Sequence, residues 1–388
     1  MIEIRRARLE EYEKVIDFID LVFSKSHCPH DFETMYPNLY RKEPGYMEKF
    51  YLLFDDGDLK CAVLAEPRTL SVMGKKISII GIGNVATHPR AMGKGYMTKL
   101  MTHIVEDIKA SGVHLSVLGG RRLRYNHFGY EIAGNYFDLN VSPAETKALF
   151  PDFDASGWRF EKVTFEDKEE LARLKAFYEE LPWHYDYNDK YFYYRMEHEG
   201  ASLYAVYAPD GSLAGFTGFK ASDGSYGLLD LCVKDELRED AAMALAIQHN
   251  KTVSFASYPW QVKYLDKALD ISGREFYRSG SGMWNVLSWK EPVEAILAYK
   301  NTYDDLLPGR LVIGVEPGIK IAVEVGESVS VEYTEEEADI SFEGLRGIRA
   351  IFGPWPHTFF AKGLSGEKLA LADSWFPLPA AKFGSEAV

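Results

Sequence analysis

The segment Val85-Ala86-Thr87-His88-Pro89-Arg90-Ala91-Met92-Gly93-Lys94-Gly95-Tyr96 joins a strand-like run to a helical one. It sets two glycines two residues apart, with one cation ahead of them and one between them. Glycine adopts backbone conformations closed to other residues and carries no Cβ to hold a ligand away. A helix opening at Gly95 would present unpaired N–H groups and the positive end of its dipole. With Arg90 and Lys94 added, this is chemistry for gripping a pyrophosphate. As a bare pattern, Arg-x-x-Gly-x-Gly also fits an ordinary glycine turn ahead of a core helix. A second group follows Gly119-Gly120: Arg121-Arg122-Leu123-Arg124-Tyr125-Asn126-His127-Phe128-Gly129-Tyr130. It places a tyrosine four residues before a Gly-aromatic pair, on a short helix leaving a strand.

The elements that must position these groups are legible as a periodic pattern. Ile2 to Arg5 alternates like a strand, and Leu9 to Phe23 has helical apolar spacing. Asp31 to Tyr40 reads as a second short helix. Phe50–Phe54 and Cys61–Ala65 flank Asp56-Gly57-Asp58, a hairpin signal. Ile77 to Ala86 is a strand, Gly95 to Ala110 a helix and Leu115 to Leu118 a buried strand, which implies a crossover unit. The middle third repeats the order: a helix over 167–178, a hairpin across Pro209-Asp210-Gly211, a strand over 228–233, a helix over 237–249 and a strand over 253–256. The last third differs, with a helix over 292–299, four strands between 311 and 342, and a helix over 344–352. The expected fold is α/β and α+β, in three domains spanning 1–145, 146–285 and 286–388.

At 388 residues the chain has room for two or three domains. Hydrophobic residues make up 46% and charged residues 26%, which excludes a disordered or fibrous chain. Residues 1–145 carry 19 basic and 19 acidic side chains, residues 146–285 carry 16 and 23, and residues 286–388 carry 9 and 16. The net charge of −14 thus falls on the last two thirds. Nucleic acid is excluded as a partner on this balance, because phosphate binding wants a basic surface. An acidic field would draw in a cationic ligand, or only keep the protein soluble. No apolar run is long enough for a membrane span, and the N-terminus lacks the apolar core of a signal peptide. A soluble cytoplasmic protein is expected. The three cysteines are too few and too scattered for a disulfide framework. His27-Cys28-Pro29-His30 has no second cluster to complete four ligands, so no metal is expected.

On Arg90-x-x-Gly93-x-Gly95 and Tyr125-x-x-x-Gly129-Tyr130, in this order, the sequence resembles the GNAT superfamily of acyl-CoA-dependent N-acyltransferases. Its whole-chain layout is similar to the enhanced-intracellular-survival type. In that family a GNAT domain precedes a degenerate GNAT-like domain and a domain like sterol carrier protein. The resemblance implies two tandem mixed-sheet GNAT-like domains and a sterol-carrier-like α+β domain, the last beginning near Gly282-Met283-Trp284-Asn285-Val286. It implies acetyl-CoA as co-substrate, a primary amine as acceptor and a homo-oligomer. The acceptor is a cationic molecule: aminoglycoside-like, polyamine-like or lysine-bearing. Gapless alignment of Leu231-Cys232-Val233 on Val85-Ala86-Thr87 puts Glu236 near Arg90 and Glu239 near Gly93, so the second copy is expected to bind no CoA.

The resemblance also distributes roles. The pantetheine arm pairs with Val85, Ala86 and Thr87, and a backbone N–H near Val85 polarises the thioester carbonyl. The pyrophosphate lies on the amides of Gly93, Lys94, Gly95, Tyr96, Met97 and Thr98 beside Arg90, with further contacts from Gly120 and Arg121. Tyr125 is the general acid for the leaving thiolate, or else a core tyrosine with a satisfied hydroxyl. The base is the C-terminal carboxylate, here Val388, with Glu386 as a substitute. Phe23, Asp31 and Glu33 border the acceptor pocket. The competing reading from another class is a lipid-binding or scaffold protein that works through its sterol-carrier-like part.

Overall fold

The turn at Asp56 and Gly57, both at positive φ, folds two apolar runs into an antiparallel hairpin from which the first sheet grows. The computed structural model describes residues 1–26, 28–221, 225–272 and 277–386. Its first unit runs β1 (Ile2–Arg6), α1 (Tyr12–Ser26), α2 (Phe32–Met35), β2 (Phe50–Asp55), β3 (Asp58–Val72), β4 (Lys75–Thr87), α3 (Tyr96–Ala110), β5 (Leu115–Leu118), α4 (Arg122–Tyr125) and β6 (Glu131–Ile132). β1 to β4 are antiparallel neighbours, and β4 and β5 are parallel, with α3 as the crossover that a parallel pair requires. Alternation along the strands sends Leu52, Leu64 and Ala86 to one face, against Val15, Ile16 and Ile19 of α1. Leu53, Val63 and Ile82 face Leu100, Met101 and Ile104 of α3 on the other. β3 runs past Pro67 to Val72, whereas the sequence reading ended it at Ala65. The proline is tolerated because β2 pairs β3 only up to Leu64 and the next strand on that edge begins at Leu70.

The second unit runs β7 (Tyr136–Val141), α5 (Pro143–Leu149), β8 (Arg159–Lys162), α6 (Lys168–Glu179), β9 (Trp183–Tyr185), α7 (Asp189–Tyr194), β10 (Ser202–Tyr207), β11 (Leu213–Ala221), β12 (Ser225–Val233), α8 (Arg238–His249), β13 (Thr252–Ser257), α9 (Asp266–Ser272) and β14 (Tyr277–Ser279), after which comes β15 (Met283–Val286). The first sheet has the order β1-β2-β3-β4-β5-β15-β6, and the second β8-β10-β11-β12-β13-β7-β14. The two orders match strand for strand, with one parallel pair at the same place in each. β15, which follows the second unit, sits in the first sheet between β5 and β6, the place that β7 holds in the second. The first sheet is therefore not built from one contiguous segment, whereas the strands of the second all fall between 136 and 279. Strand 136–141, ahead of the division expected at 145, lies in the second sheet, and 283–286, expected to open the last module, lies in the first.

The last unit holds α10 (Lys290–Lys300), β16 (Gly309–Glu316), β17 (Ile319–Val325), β18 (Val329–Tyr333), β19 (Ile340–Ser341), α11 (Arg346–Phe352), α12 (His357–Phe360) and α13 (Gly366–Trp375). Its sheet has the order β18-β17-β16-β19 and packs Leu311, Ile313 and Val323 with Ile351, Phe360 and Trp375. From Phe376 the chain runs back between the units. Asn135 N–H donates to Ala380 O at 3.0 Å, Lys382 N–H to Ser281 Oγ at 2.9 Å, and Gly384 N–H to Asp230 Oδ1 at 2.9 Å. Among the described residues, no helix is long and apolar enough to cross a membrane.

Candidate functional site

β4 and β5 separate beyond the Ile82↔Leu118 pair, while β4 continues to Thr87. A parallel pair that splays open leaves one edge of β4 without a strand neighbour. The other edge carries an irregularity: Ala62 faces Ala86 and Leu64 faces Gly83, so Asn84 and Val85 together oppose Val63. This is a β-bulge, and Asn84 sits in it at φ +47°. A cleft of about 940 Å³ fills the splay. Gly83, Asn84, Val85 and Thr87 line it from β4, Gly93, Gly95, Tyr96, Met97 and Thr98 from the loop and α3, and Gly119, Gly120, Arg121 and Tyr125 from beyond β5. The two sequence motifs, some thirty residues apart, thus share one cavity. Ala86 does not line it, since alternation turns its side chain into the core under α1. Arg90 and Lys94 line an adjacent hollow of about 540 Å³ with Lys14, Lys60 and His88, on the α1 side of the loop.

Gly93 and Gly95 are both at φ +77°. A Cβ on either would meet nothing within 4 Å, so the demand on glycine is conformational and not one of space. Gly95 is the N-cap of α3 and gives no side-chain cap, which leaves the first-turn N–H groups without a side-chain acceptor on their own cap. His88 Nδ1 accepts from Arg90 N–H at 3.1 Å and fixes the turn ahead of the glycines. These features fit the diphosphate of a CoA thioester. Gly95→Ala forces an L-residue into the left-handed region at a cost of about 1–2 kcal/mol. We expect acetyl-CoA affinity to fall roughly tenfold by titration calorimetry, with the fold retained.

At the opposite wall, Gly120 is at φ +121°, and a Cβ there would lie 3.1 Å from Tyr125 Cε2. The glycine makes room for the Tyr125 ring. Burial raises the Tyr125 phenol above its ordinary value, against a smaller opposing contribution from Arg124, so the hydroxyl holds its proton at neutral pH. Arg122 turns away and donates through Nε to Glu131 Oε1 at 2.6 Å.

The acceptor-side residues divide. Phe23 lines the cleft with Val22 and Ser26 of α1. Asp31 and Glu33 do not reach it. Asp31 caps α2, accepting from Thr34 N–H at 3.1 Å, and Glu33 accepts from the Tyr12 hydroxyl at 2.5 Å. Local bonds absorb both carboxylates, and among the described residues the cleft lining holds no Asp or Glu. His27 lies outside the described residues, and Cys28 is an exposed free thiol. Val388 lies outside them as well. Glu386 is buried, and its carboxylate accepts from Arg68 Nη1 at 2.9 Å, from Arg195 Nη1 at 3.1 Å and from the Tyr187 hydroxyl. With both oxygens held by these groups it is an anchor of the tail, not a free base. The sequence reading passed over Asn84. A Gly-Asn pair inside the apolar run Ile79 to Ala86 was the available sign of a bulge.

The second sheet has the same splay, since β12 and β13 pair only as far as Gly227↔Ser254. There the chain itself fills the gap. Arg238 donates to Leu231 O and, at 3.0 Å, to Ala256 O, tying the two strands together across the opening. The joint is also shorter, because only residues 234–237 separate β12 from α8 where 88–95 separate β4 from α3. Glu239, placed near a loop glycine by gapless counting, instead lies inside α8 and accepts from Ala268 N–H at 2.8 Å.

Residues 3–133 match the family described as acetyltransferase (GNAT) domain. No curated protein matches the chain. Several solved structures share its fold over nearly the whole length at low identity. A conserved protein from Enterococcus faecalis V583, a probable N-acyltransferase, has a TM-score of 0.69 at 14% identity and covers 99% of this chain and 98% of its own. A GCN5-related N-acetyltransferase from Kribbella flavida has 0.68 at 15%, covering 98% and 97%. Eis1 from Mycobacterium abscessus has 0.67 at 16%, covering 100% of both chains.

Proposed function

We propose that the chain, whose residues 3–133 match the family described as acetyltransferase (GNAT) domain, is an acyl-CoA-dependent N-acetyltransferase that moves the acetyl group of acetyl-CoA directly to a primary amine, with both substrates bound together. The observation that carries this reading is the single cleft that holds the left-handed glycine loop at one wall and a protonated Tyr125 at the other. The diphosphate lies on the amides from Gly93 to Thr98, and the pantetheine arm runs along the open edge of β4. The N–H of Val85 faces the thioester carbonyl and stabilises the charge that grows on its oxygen. The amine nitrogen forms a bond to the carbonyl carbon, the C–S bond breaks, and the Tyr125 hydroxyl gives its proton to the leaving sulfur. The proton lost from the amine goes to the carboxylate of Val388.

The acceptor is a cationic amine, aminoglycoside-like, polyamine-like or lysine-bearing. The net charge of −14 supports this class. Its recognition falls to groups beyond the carboxylate-free cleft lining. The test is release of free thiol from acetyl-CoA across a panel of amines spanning these classes and arylalkylamines that carry no charge beyond the reacting amine. Release with a cationic amine supports the reading, and none with any amine sinks it. The plugged second splay adds a prediction: calorimetric titration will give one acetyl-CoA per chain, and a value of two would show that Arg238 is displaced.

A further inference from the structure

The β4 bulge is held by a pair of side chains from outside the cleft. Asn84 is buried at φ +47°, in the left-handed region that Asn enters more readily than most side-chain-bearing residues. The Tyr40 hydroxyl donates to its Oδ1. Tyr40 is itself buried, and desolvation holds its phenol well above the ordinary value, so it stays a donor. Its ring is set between Phe32 of α2, centroids 5.2 Å apart, and Phe50 of β2, at 6.2 Å. Tyr40 N–H also donates to Tyr36 O at 3.2 Å. The hydroxyl is thus delivered to Asn84 by a buried ring packed between two other rings.

We propose that Tyr40 and Asn84 are positioning residues for acetyl transfer: their hydrogen bond locks Asn84 in the left-handed conformation and so sets the direction of the Val85 N–H in the splay. The inference rests on the acetyl-transfer reading. Val85 directly follows the bulged residue and lines the cleft where β5 no longer pairs with β4. A change in ψ at Asn84 rotates the peptide plane that carries the Val85 N–H, while the diphosphate loop eight and more residues on keeps its own supports. Loss of the pair should therefore harm a contact that tightens as charge develops on the carbonyl oxygen, and spare ground-state binding of the thioester.

The test uses the full chain as wild type, Tyr40→Phe, Asn84→Gly and the double variant. Tyr40→Phe keeps the ring and removes the donor. Asn84→Gly keeps access to positive φ and removes the acceptor. The readouts are kcat for thiol release at saturating amine, the acetyl-CoA Kd by calorimetry, and Tm. Each single variant should lower kcat about 10- to 100-fold, with Kd changed less than about threefold. The double variant should be no slower than Asn84→Gly alone, as for two groups acting through one bond. Unchanged kcat in both single variants, losses that multiply in the double, or a Kd that weakens in step with kcat each overturns the pair's role. If one variant fails to fold, the kcat and Kd of the other decide. A wild type that neither binds acetyl-CoA nor releases thiol overturns the function itself, and the pair's role with it.

Discussion

Tyr125→Phe will leave acetyl-CoA binding within about twofold of wild type and lower turnover by something like 10²-fold. Binding survives because the Tyr125 ring, not its hydroxyl, fills the space above Gly120, where a Cβ would come within 3.1 Å of Cε2. The ring also stays packed in the core that α3 makes with the sheet. Gly93 and Gly95, proposed to carry the diphosphate, line the cleft from the loop ahead of α3, and a Cβ on either would meet nothing within 4 Å, the Tyr125 ring included. Turnover falls because the leaving thiolate then departs without a donor. A thiol near pKa 8.5 leaves far more readily when protonated as the C–S bond stretches, and a phenol raised by burial still carries its proton at neutral pH. The raised value also fixes the sign of the pH dependence. Deprotonating Tyr125 is uphill in the folded chain, so the alkaline fall that its deprotonation causes in wild-type turnover lies at higher pH than for a free tyrosine, and Tyr125→Phe removes that fall. Initial rates of thiol release from pH 7 to 11, beside calorimetry on the same variant, test both statements. Equal turnover in the two proteins takes Tyr125 out of the reaction.

What the residues disclosed by themselves follows the range of the forces involved. The hairpins at Asp56-Gly57 and Pro209-Asp210-Gly211, the crossover helix after Gly95 and the strand Ile319–Val325 depend on turn chemistry and local periodicity, and they lie where the pattern puts them. The two glycines and Tyr125 meet in one cleft because a strand–helix–strand crossover leaves little choice. The placement of β15 was hidden, since Met283-Trp284-Asn285-Val286 reads identically whichever sheet receives it. Only its pairing with Leu115–Leu118 settles the matter. Asp31 and Glu33 misled because their charge and nearness to Phe23 say nothing of direction, and a cap on α2 and the Tyr12 hydroxyl claimed them first. Glu386, in Gly-Ser-Glu-Ala-Val, looks like a fraying end. Its burial is decided by Arg68 and Arg195, which stand 318 and 191 positions earlier in the chain.

Removing residues 387–388 and replacing Glu386 will have opposite signatures. The short truncation leaves every described anchor of the tail in place: Phe383 against Tyr258 with centroids 5.0 Å apart, Gly384 and Ser385 N–H on Asp230, and Glu386 on its two arginines. It should keep Tm and acetyl-CoA affinity and abolish transfer if the Val388 carboxylate takes the amine proton. Glu386→Ala strips the shared counter-ion from Arg68 and Arg195, whose side chains are 6% and 1% exposed. Asp230 gives only partial relief. It stands 3.8 Å from Arg195, and burial pushes its own pKa up to about 6. Breaking a buried ion pair by removing one partner costs about 3–5 kcal/mol, and Arg195 loses its nearer carboxylate, so Glu386→Ala should lower Tm by several degrees and loosen the seam between the first and second sheets. Glu386→Gln keeps the shape but not the charge and should fall between. The larger deletion of residues 383–388 cannot separate base from anchor, because it also withdraws Phe383 from the core. Differential scanning calorimetry with thiol-release rates on the three proteins reads the outcome. Full transfer after loss of 387–388 removes any terminal base, and an unshifted Tm in Glu386→Ala would mean that the two arginines find their partners elsewhere.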